Sequence, residues 1–113
     1  MDCLFCNIAQ HQLPTTAVAE NDQLIAFHDI NPQAPLHVLI VPKQHIASIN
    51  DALPEHALLL GQLILTAQHL AKTHDVASSG YRLVFNTNQH GGQTVPHVHL
   101  HLLAGRPMTW PPG

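Results

Sequence analysis

The chain has 113 residues, enough for one domain, and 45% of them are apolar, which supports a real core and excludes a disordered composition. Its net charge is −3, and its four fixed cations, Lys43, Lys72, Arg82 and Arg106, form no cluster, which argues against a nucleic-acid partner. No apolar run reaches the roughly 18–20 residues of a membrane span, and no basic region leads into an apolar one at the N-terminus, so a cytoplasmic protein with no membrane contact is expected.

Residues 4–9 are predicted as a short helix with Leu4, Phe5 and Ile8 on one side, ended by Pro14. Cys3 and Cys6 flank its start in a C-x-x-C spacing, which in a reducing compartment reads as metal-binding or redox-active rather than as a structural disulfide. Residues 15–19 and 23–28 read as two strands joined at Glu20-Asn21-Asp22. Asn31-Pro32-Gln33-Ala34-Pro35 is a rigid loop, and Leu36 to Val41 is a strand closed by Pro42.

Pro54 to His74 is the one long helical segment, with Pro54 suited to a first turn. Leu60, Leu63, Ile64, Ala67, Leu70 and Ala71 form an apolar stripe at helical spacing. Leu58 and Leu65 fall nearly opposite, as for a helix that meets a subunit partner or as a stray exposed pair. Tyr81 to Asn86 is a further strand, Thr87 to Thr94 a loop holding Gly91-Gly92, and 105–113 a proline-rich tail with the single tryptophan, Trp110. One long helix set among strands gives an α+β class with a mainly antiparallel sheet, in a single domain spanning 1–113.

The most informative run is His97-Val98-His99-Leu100-His101-Leu102-Leu103. On a strand the three imidazoles share one face and the aliphatics the other. Glycine backbone at Gly91-Gly92 permits close approach to phosphate oxygens, and Asn86, Gln93 and Thr94 add neutral donors. A histidine there can attack phosphorus while such donors stabilise the equatorial oxygens. A zinc site built from the three histidines, or a solvated strand face, are the competing readings.

This run matches His-φ-His-φ-His-φ-φ, and the chain is identified as resembling the histidine-triad (HIT) nucleotide-binding proteins. Phe27-His28-Asp29-Ile30, Pro32-Gln33-Ala34-Pro35, His37 and Val41-Pro42-Lys43-Gln44-His45-Ile46 resemble the first half of that family. The ending Gly105-Arg106-Pro107-Met108-Thr109-Trp110-Pro111-Pro112-Gly113 looks like its Hint branch, whereas the family's dinucleoside polyphosphate hydrolases do not normally share that tail.

The resemblance implies a HIT fold and hydrolysis of purine nucleoside phosphoramidates or related AMP conjugates, without a catalytic cofactor. His99 matches the nucleophile that carries the nucleotidyl group, and its other ring nitrogen is expected on a backbone carbonyl. His101 matches the phosphate contact. Asn86, Gln93 and Thr94 match positions at the phosphate or leaving group, with Thr94 standing where serine is frequent. Asp29 matches the ribose carboxylate; Leu4, Phe5, Ile8, Phe27, His28 and Ile30 match the purine slot, and Gly92 belongs to the nucleotide loop. Some bacterial members hold structural zinc at positions occupied here by Cys3, Cys6, His45 and His97, and a closed set of this kind is structural. The resemblance also implies a homodimer through the long helix. A dinucleoside polyphosphate hydrolase and a nucleotide-binding regulatory protein with little turnover are the alternatives. His11, His56, His69, His74 and His90 have no assignable role and are read as surface residues.

Overall fold

The computed structural model describes residues 3–113; residues 1 and 2, the start of the expected domain, lie outside the described residues. Five strands form one sheet: β1 (Ala17–Glu20), β2 (Leu24–His28), β3 (Leu36–Pro42), β4 (Tyr81–Val84) and β5 (Leu100–Ala104). Its order is β1-β2-β3-β5-β4, and every neighbouring pair is antiparallel. Helix α1 (Leu4–Ala9) covers one face and the long helix α2 (Ala57–Thr73) the other; a short α3 (Asn88–Gly91) follows β4. This is the expected α+β architecture.

β3 is the spine, a seven-residue strand with all but its first residue buried. It sits between β2 and β5, so both of its faces must find cover, and a nearly continuous apolar run supplies it. Val38 and Ile40 join Leu100 and Leu102 of β5 against Leu59, Leu63, Ala67 and Leu70 of α2. Leu39 and Val41 join Ile25 and Phe27 of β2 against Phe5, Cys6, Ile8 and Ala9 of α1.

The long helix differs in detail from its periodicity. Pro54–His56 is a separate 3-10 turn, and α2 proper begins at Ala57. The buried stripe is Leu59, Leu63, Ala67, Leu70 and Ala71; Ile64 is 43% exposed, and Leu58 and Leu65 stand out at 76% and 60%. Leu59, Leu63, Ala67 and Leu70 follow one another at helical spacing on the face packed against the sheet, and Ile64 falls at the edge of that face. His56 is buried, not on the surface: the Leu53 N–H donates to its Nδ1 at 2.9 Å, and the Gln44 amide lies 3.0 Å from its Nε2. That ring satisfies the entry to α2.

Two further expectations shift. The loop 87–94 contains the single helical turn α3, capped by Gly92 in the left-handed region at φ 79°. Regular pairing of β5 starts only at Leu100, so His97 and His99 precede the strand. Pro42, opposite this segment, has no N–H to donate, and its carbonyl is taken by the His97 ring at 2.8 Å. The Val98 N–H turns instead to the Ile46 carbonyl at 2.7 Å. Among the described residues, no helix is long and apolar enough to cross a membrane.

Candidate active site

The α1 face of the sheet carries the chemistry. A cavity of about 670 Å³ opens there, walled by Leu4, Phe5 and Ile8 from α1 and by Phe27, His28, Asp29 and Ile30 from the end of β2. His99, His101 and Thr94 line it as well. Ile30 is wholly exposed and Leu4 is 46% exposed, so apolar side chains stand at its rim. The Phe5 ring meets Phe27 edge-on with centroids 5.7 Å apart, and meets His99 edge-on at 5.0 Å.

The hydrogen bonds put the ring proton of His99 on Nδ1 and those of His97, His37 and His101 on Nε2. The His99 Nδ1–H donates to the His97 carbonyl at 2.7 Å, which leaves the Nε2 lone pair free. The His97 Nε2–H donates to the Pro42 carbonyl at 2.8 Å, which leaves Nδ1 unprotonated. The third assignment runs through His37. The Gln33 N–H donates to His37 Nδ1 at 3.0 Å, so the ring proton of His37 is on Nε2. That Nε2–H donates to His101 Nδ1 at 2.8 Å, and the Asp29 carboxylate lies 3.5 Å from the same nitrogen. His101 therefore carries its proton on Nε2, a buried atom with no partner among the described residues. The site thus offers a lone pair on His99 next to an open donor on His101.

Burial pushes the His101 imidazolium down to about 4, and the neighbouring charges of His99 and His37 act in the same direction, against Asp29. Burial likewise lowers His37 and His97, opposed for His97 by the Pro42 carbonyl. His101 and His37 are accordingly neutral at pH 7, as the donor chain requires.

The remaining predicted residues are placed as follows. Asp29 accepts the Asn31 N–H at 2.8 Å and sits at the cavity edge. Gln93 does not line the cavity: its amide N–H groups reach the Ala47 and Val95 carbonyls at 2.7 and 2.9 Å, and its oxygen accepts the Asn88 N–H at 2.9 Å. It fastens the loop that carries Thr94. Asn86 lies two residues beyond Val84, the β4 partner of His101, and Gly91 packs against its backbone; neither Asn86 nor Gly92 lines the cavity. Sequence reasoning missed the role of His37, although a histidine inside the apolar run Leu36–Val41 is a visible anomaly. It also missed Leu13, Pro14, Thr15 and Thr16, which close one side of the cavity without any motif.

Behind the cavity, Cys3, Cys6, His45 and His97 bring four donor atoms within 4.8 Å of one another, close enough to hold a metal ion. His97 Nδ1 lies 3.3 Å from Cys3 Sγ, 3.4 Å from Cys6 Sγ and 3.1 Å from His45 Nδ1. Burial and the neighbouring Cys3 push the Cys6 thiol up to about 11 when no ion is bound. The triad histidines themselves do not form a metal-holding group among the described residues: His97 belongs to this set and His101 to a second one with Asp29 and His37.

Residues 10–108 match the model of the HIT domain family. The chain belongs to the HIT domain family. This HIT chain is 45% identical over 107 residues to the purine nucleoside phosphoramidase of Escherichia coli K12, covering 95% of this chain and 90% of that protein. Its fold is similar to the crystal structure of a HIT family hydrolase from Legionella pneumophila Philadelphia 1, with a TM-score of 0.97, 54% identity and coverage of 99% of this chain and 100% of that one. It is also similar to a histidine triad protein from Clostridium difficile, with a TM-score of 0.93, 38% identity and coverage of 96% and 95%.

Proposed function

We propose that this HIT protein hydrolyses purine nucleoside phosphoramidates, or related AMP conjugates, through a nucleotidyl intermediate on His99. The observation that carries this reading is the pairing of tautomers: a free Nε2 lone pair on His99 beside an unpartnered Nε2–H on His101. An in-line displacement needs both, a nucleophile for phosphorus and a donor for a non-bridging oxygen.

In the first step His99 Nε2 forms a bond to the α-phosphorus. The phosphorus–nitrogen bond of the substrate breaks, and the amine departs with the electron pair and takes up a proton from solvent. The His99 ring, still carrying Nδ1–H, becomes cationic, and the His97 carbonyl 2.7 Å away stabilises it. Water then attacks the same phosphorus and gives up a proton to solvent; the bond to His99 Nε2 breaks, the ring recovers its lone pair and neutrality, and AMP leaves. His101 and the Thr94 hydroxyl donate to the phosphate, while Asn86, Gln93 and Gly92 shape the loop above it. Asp29 receives the ribose hydroxyls. The purine lies between Leu4, Phe5, Ile8, Phe27, His28 and Ile30, where flat apolar walls suit a base.

The Cys3–Cys6–His45–His97 set is read as a structural zinc site. Tetrahedral zinc at ordinary Zn–S and Zn–N lengths separates its ligand atoms by roughly 3.3–3.8 Å. The thiol–imidazole and imidazole–imidazole distances of 3.1–3.4 Å are near that span. Thiolate ligands fit a reducing, cytoplasmic location. Leu58 and Leu65, exposed on α2, are read as part of a homodimer face.

Rapid quench with a radiolabelled AMP–amine tests the mechanism. A covalent adduct on His99 is expected in the wild type and none in His99→Ala, which should still bind AMP. Turnover of the AMP–amine by His99→Ala at the wild-type rate would sink the reading. Faster turnover of a diadenosine polyphosphate than of the AMP–amine would instead favour a dinucleoside polyphosphate hydrolase.

A further inference from the structure

His97 belongs to two sites at once. Its ring Nδ1 faces the thiols of Cys3 and Cys6 at 3.3 and 3.4 Å, and its carbonyl holds the His99 Nδ1–H at 2.7 Å. Helix α1 is shared in the same way. Cys3 caps it, its Sγ accepting the Cys6 N–H at 3.3 Å, and Cys6 lies within it. Leu4, Phe5 and Ile8 of this helix form one wall of the nucleotide cavity. Phe5 stands edge-on to both His97 and His99, with centroids 6.0 and 5.0 Å away.

A helix of six residues cannot sustain itself in water, where isolated helices shorter than about 12–15 residues are marginal. It is held by docking, through the buried Phe5, Cys6, Ile8 and Ala9 and through the thiol–imidazole cluster. The opposite core, packed against α2, shares no residue with it. The sheet therefore has the means to stand while α1 undocks. An undocked α1 leaves the cavity without a wall and removes the Cys3 and Cys6 contacts of the His97 ring, which then keeps only the Pro42 carbonyl and His45. A ligand that needs the docked state then binds more weakly, in proportion to the fraction docked.

We propose that zinc at Cys3, Cys6, His45 and His97 and a purine nucleotide in the cavity bind cooperatively, with α1 and His97 as the elements common to both sites. This rests on the zinc and nucleotide readings above. The ion makes docking of α1 permanent, so the nucleotide no longer bears the ordering cost. By linkage the nucleotide must raise zinc affinity by the same factor.

The test uses the whole chain, loaded with zinc or stripped by a chelator, and AMP as the probe. Calorimetric titration should give AMP affinity on the order of tenfold weaker for the stripped chain. Saturating AMP should tighten zinc binding, measured against a competing chromophoric chelator, by the same factor. Hydrogen exchange should show amides 4–9 losing protection in the stripped chain while those of β3 keep theirs. In Phe5→Leu, which retains all four ligands, the coupling factor should fall towards one. Equal AMP affinities for the two forms overturn the proposal while leaving both sites standing. A chain that takes up no zinc defeats the metal reading, and one that binds AMP in neither form defeats the nucleotide reading; either result ends the coupling too. Global loss of the far-ultraviolet circular dichroism on stripping also overturns it, because the sheet must survive without the ion.

Discussion

His37 and His101 lie on neighbouring strands with 2.8 Å between Nε2 of the first and Nδ1 of the second. That contact decides what His101 can do. The Gln33 N–H fixes the proton of His37 on Nε2, and His37 in turn fixes the proton of His101 on its own Nε2, the atom left without a partner among the described residues. Asp29 beside the pair favours the same polarity.

Replacing His37 should therefore damage turnover more than binding. His37→Ala lets His101 adopt the other tautomer and orphans a backbone N–H. A loss of about 10–100-fold in kcat is expected, as for other residues that orient a reacting group, with KM changed much less. Steady-state kinetics with an AMP–amine check it. A variant with wild-type kcat would show that His101 needs no such partner.

Stability should fall with acidity across a defined window. His101 ionises near 4 in the folded chain against 6.5 in its ordinary state. Between those values the unfolded chain binds more protons, so this contribution is intact above about pH 6.5 and declines as the pH drops towards 4. His37, also lowered by burial, acts in the same direction. Urea midpoints should decrease steadily from pH 7 to 4.5, and His101→Gln should flatten that slope.

The core beneath α2 is the main store of stability. Leu63 is fully buried against Val38, Ile40 and Leu100, so Leu63→Ala should cost about 2–5 kcal/mol in denaturant titration. AMP affinity per folded molecule should be unchanged, since α1 and the cavity lie on the other face.

Leu65 offers a contrast on the same helix. It is 60% exposed, so Leu65→Lys should leave chain stability within about 0.5 kcal/mol in a monomer. If α2 forms the homodimer face, the variant should elute as a monomer in light-scattering chromatography where the wild type elutes as a dimer. A wild type that is itself monomeric at micromolar concentration would refute the dimer reading.

Gly105 tests the clamp at the start of the tail. Its φ is 95°, and an added Cβ would lie 2.8 Å from the Cβ of Pro35. Next to it, Arg106 donates twice to the Gln33 carbonyl, at 3.1 and 3.0 Å. Gly105→Ala should destabilise by roughly 1–3 kcal/mol, read as a lowered thermal midpoint. It should also reduce kcat, because Gln33 is the residue that orients His37.

Much of this was legible in the residues themselves. The alternation of histidines with aliphatics placed three imidazoles on one face, and the apolar run at Leu36–Val41 marked the spine. What escaped was set by tertiary contacts. Nothing local distinguishes Leu59 from Ile64 until α2 packs on the sheet. His56 looked like a surface residue because its partners, Leu53 N–H and Gln44, lie in the irregular backbone around it. Gln93 carried a motif position, yet its amide is consumed by carbonyls of Ala47 and Val95, one of them far away in sequence. The roles of the histidines came from the family resemblance alone, and the Pro42 carbonyl that holds the His97 ring is one that no pattern of side chains reports.

The alternation from His97 to Leu102 has a last consequence. Val98, Leu100 and Leu102 pack towards α2, while the three histidines face α1. A slip of this segment by one residue would exchange the two sets, driving imidazoles into the apolar core and leucines into the cavity. No partly active misregistered species can therefore accumulate: an error that disarms the site also unpacks the core. Correct folding and catalytic competence are proofread by a single register, and an insertion or deletion anywhere between Pro96 and Leu103 forfeits both together.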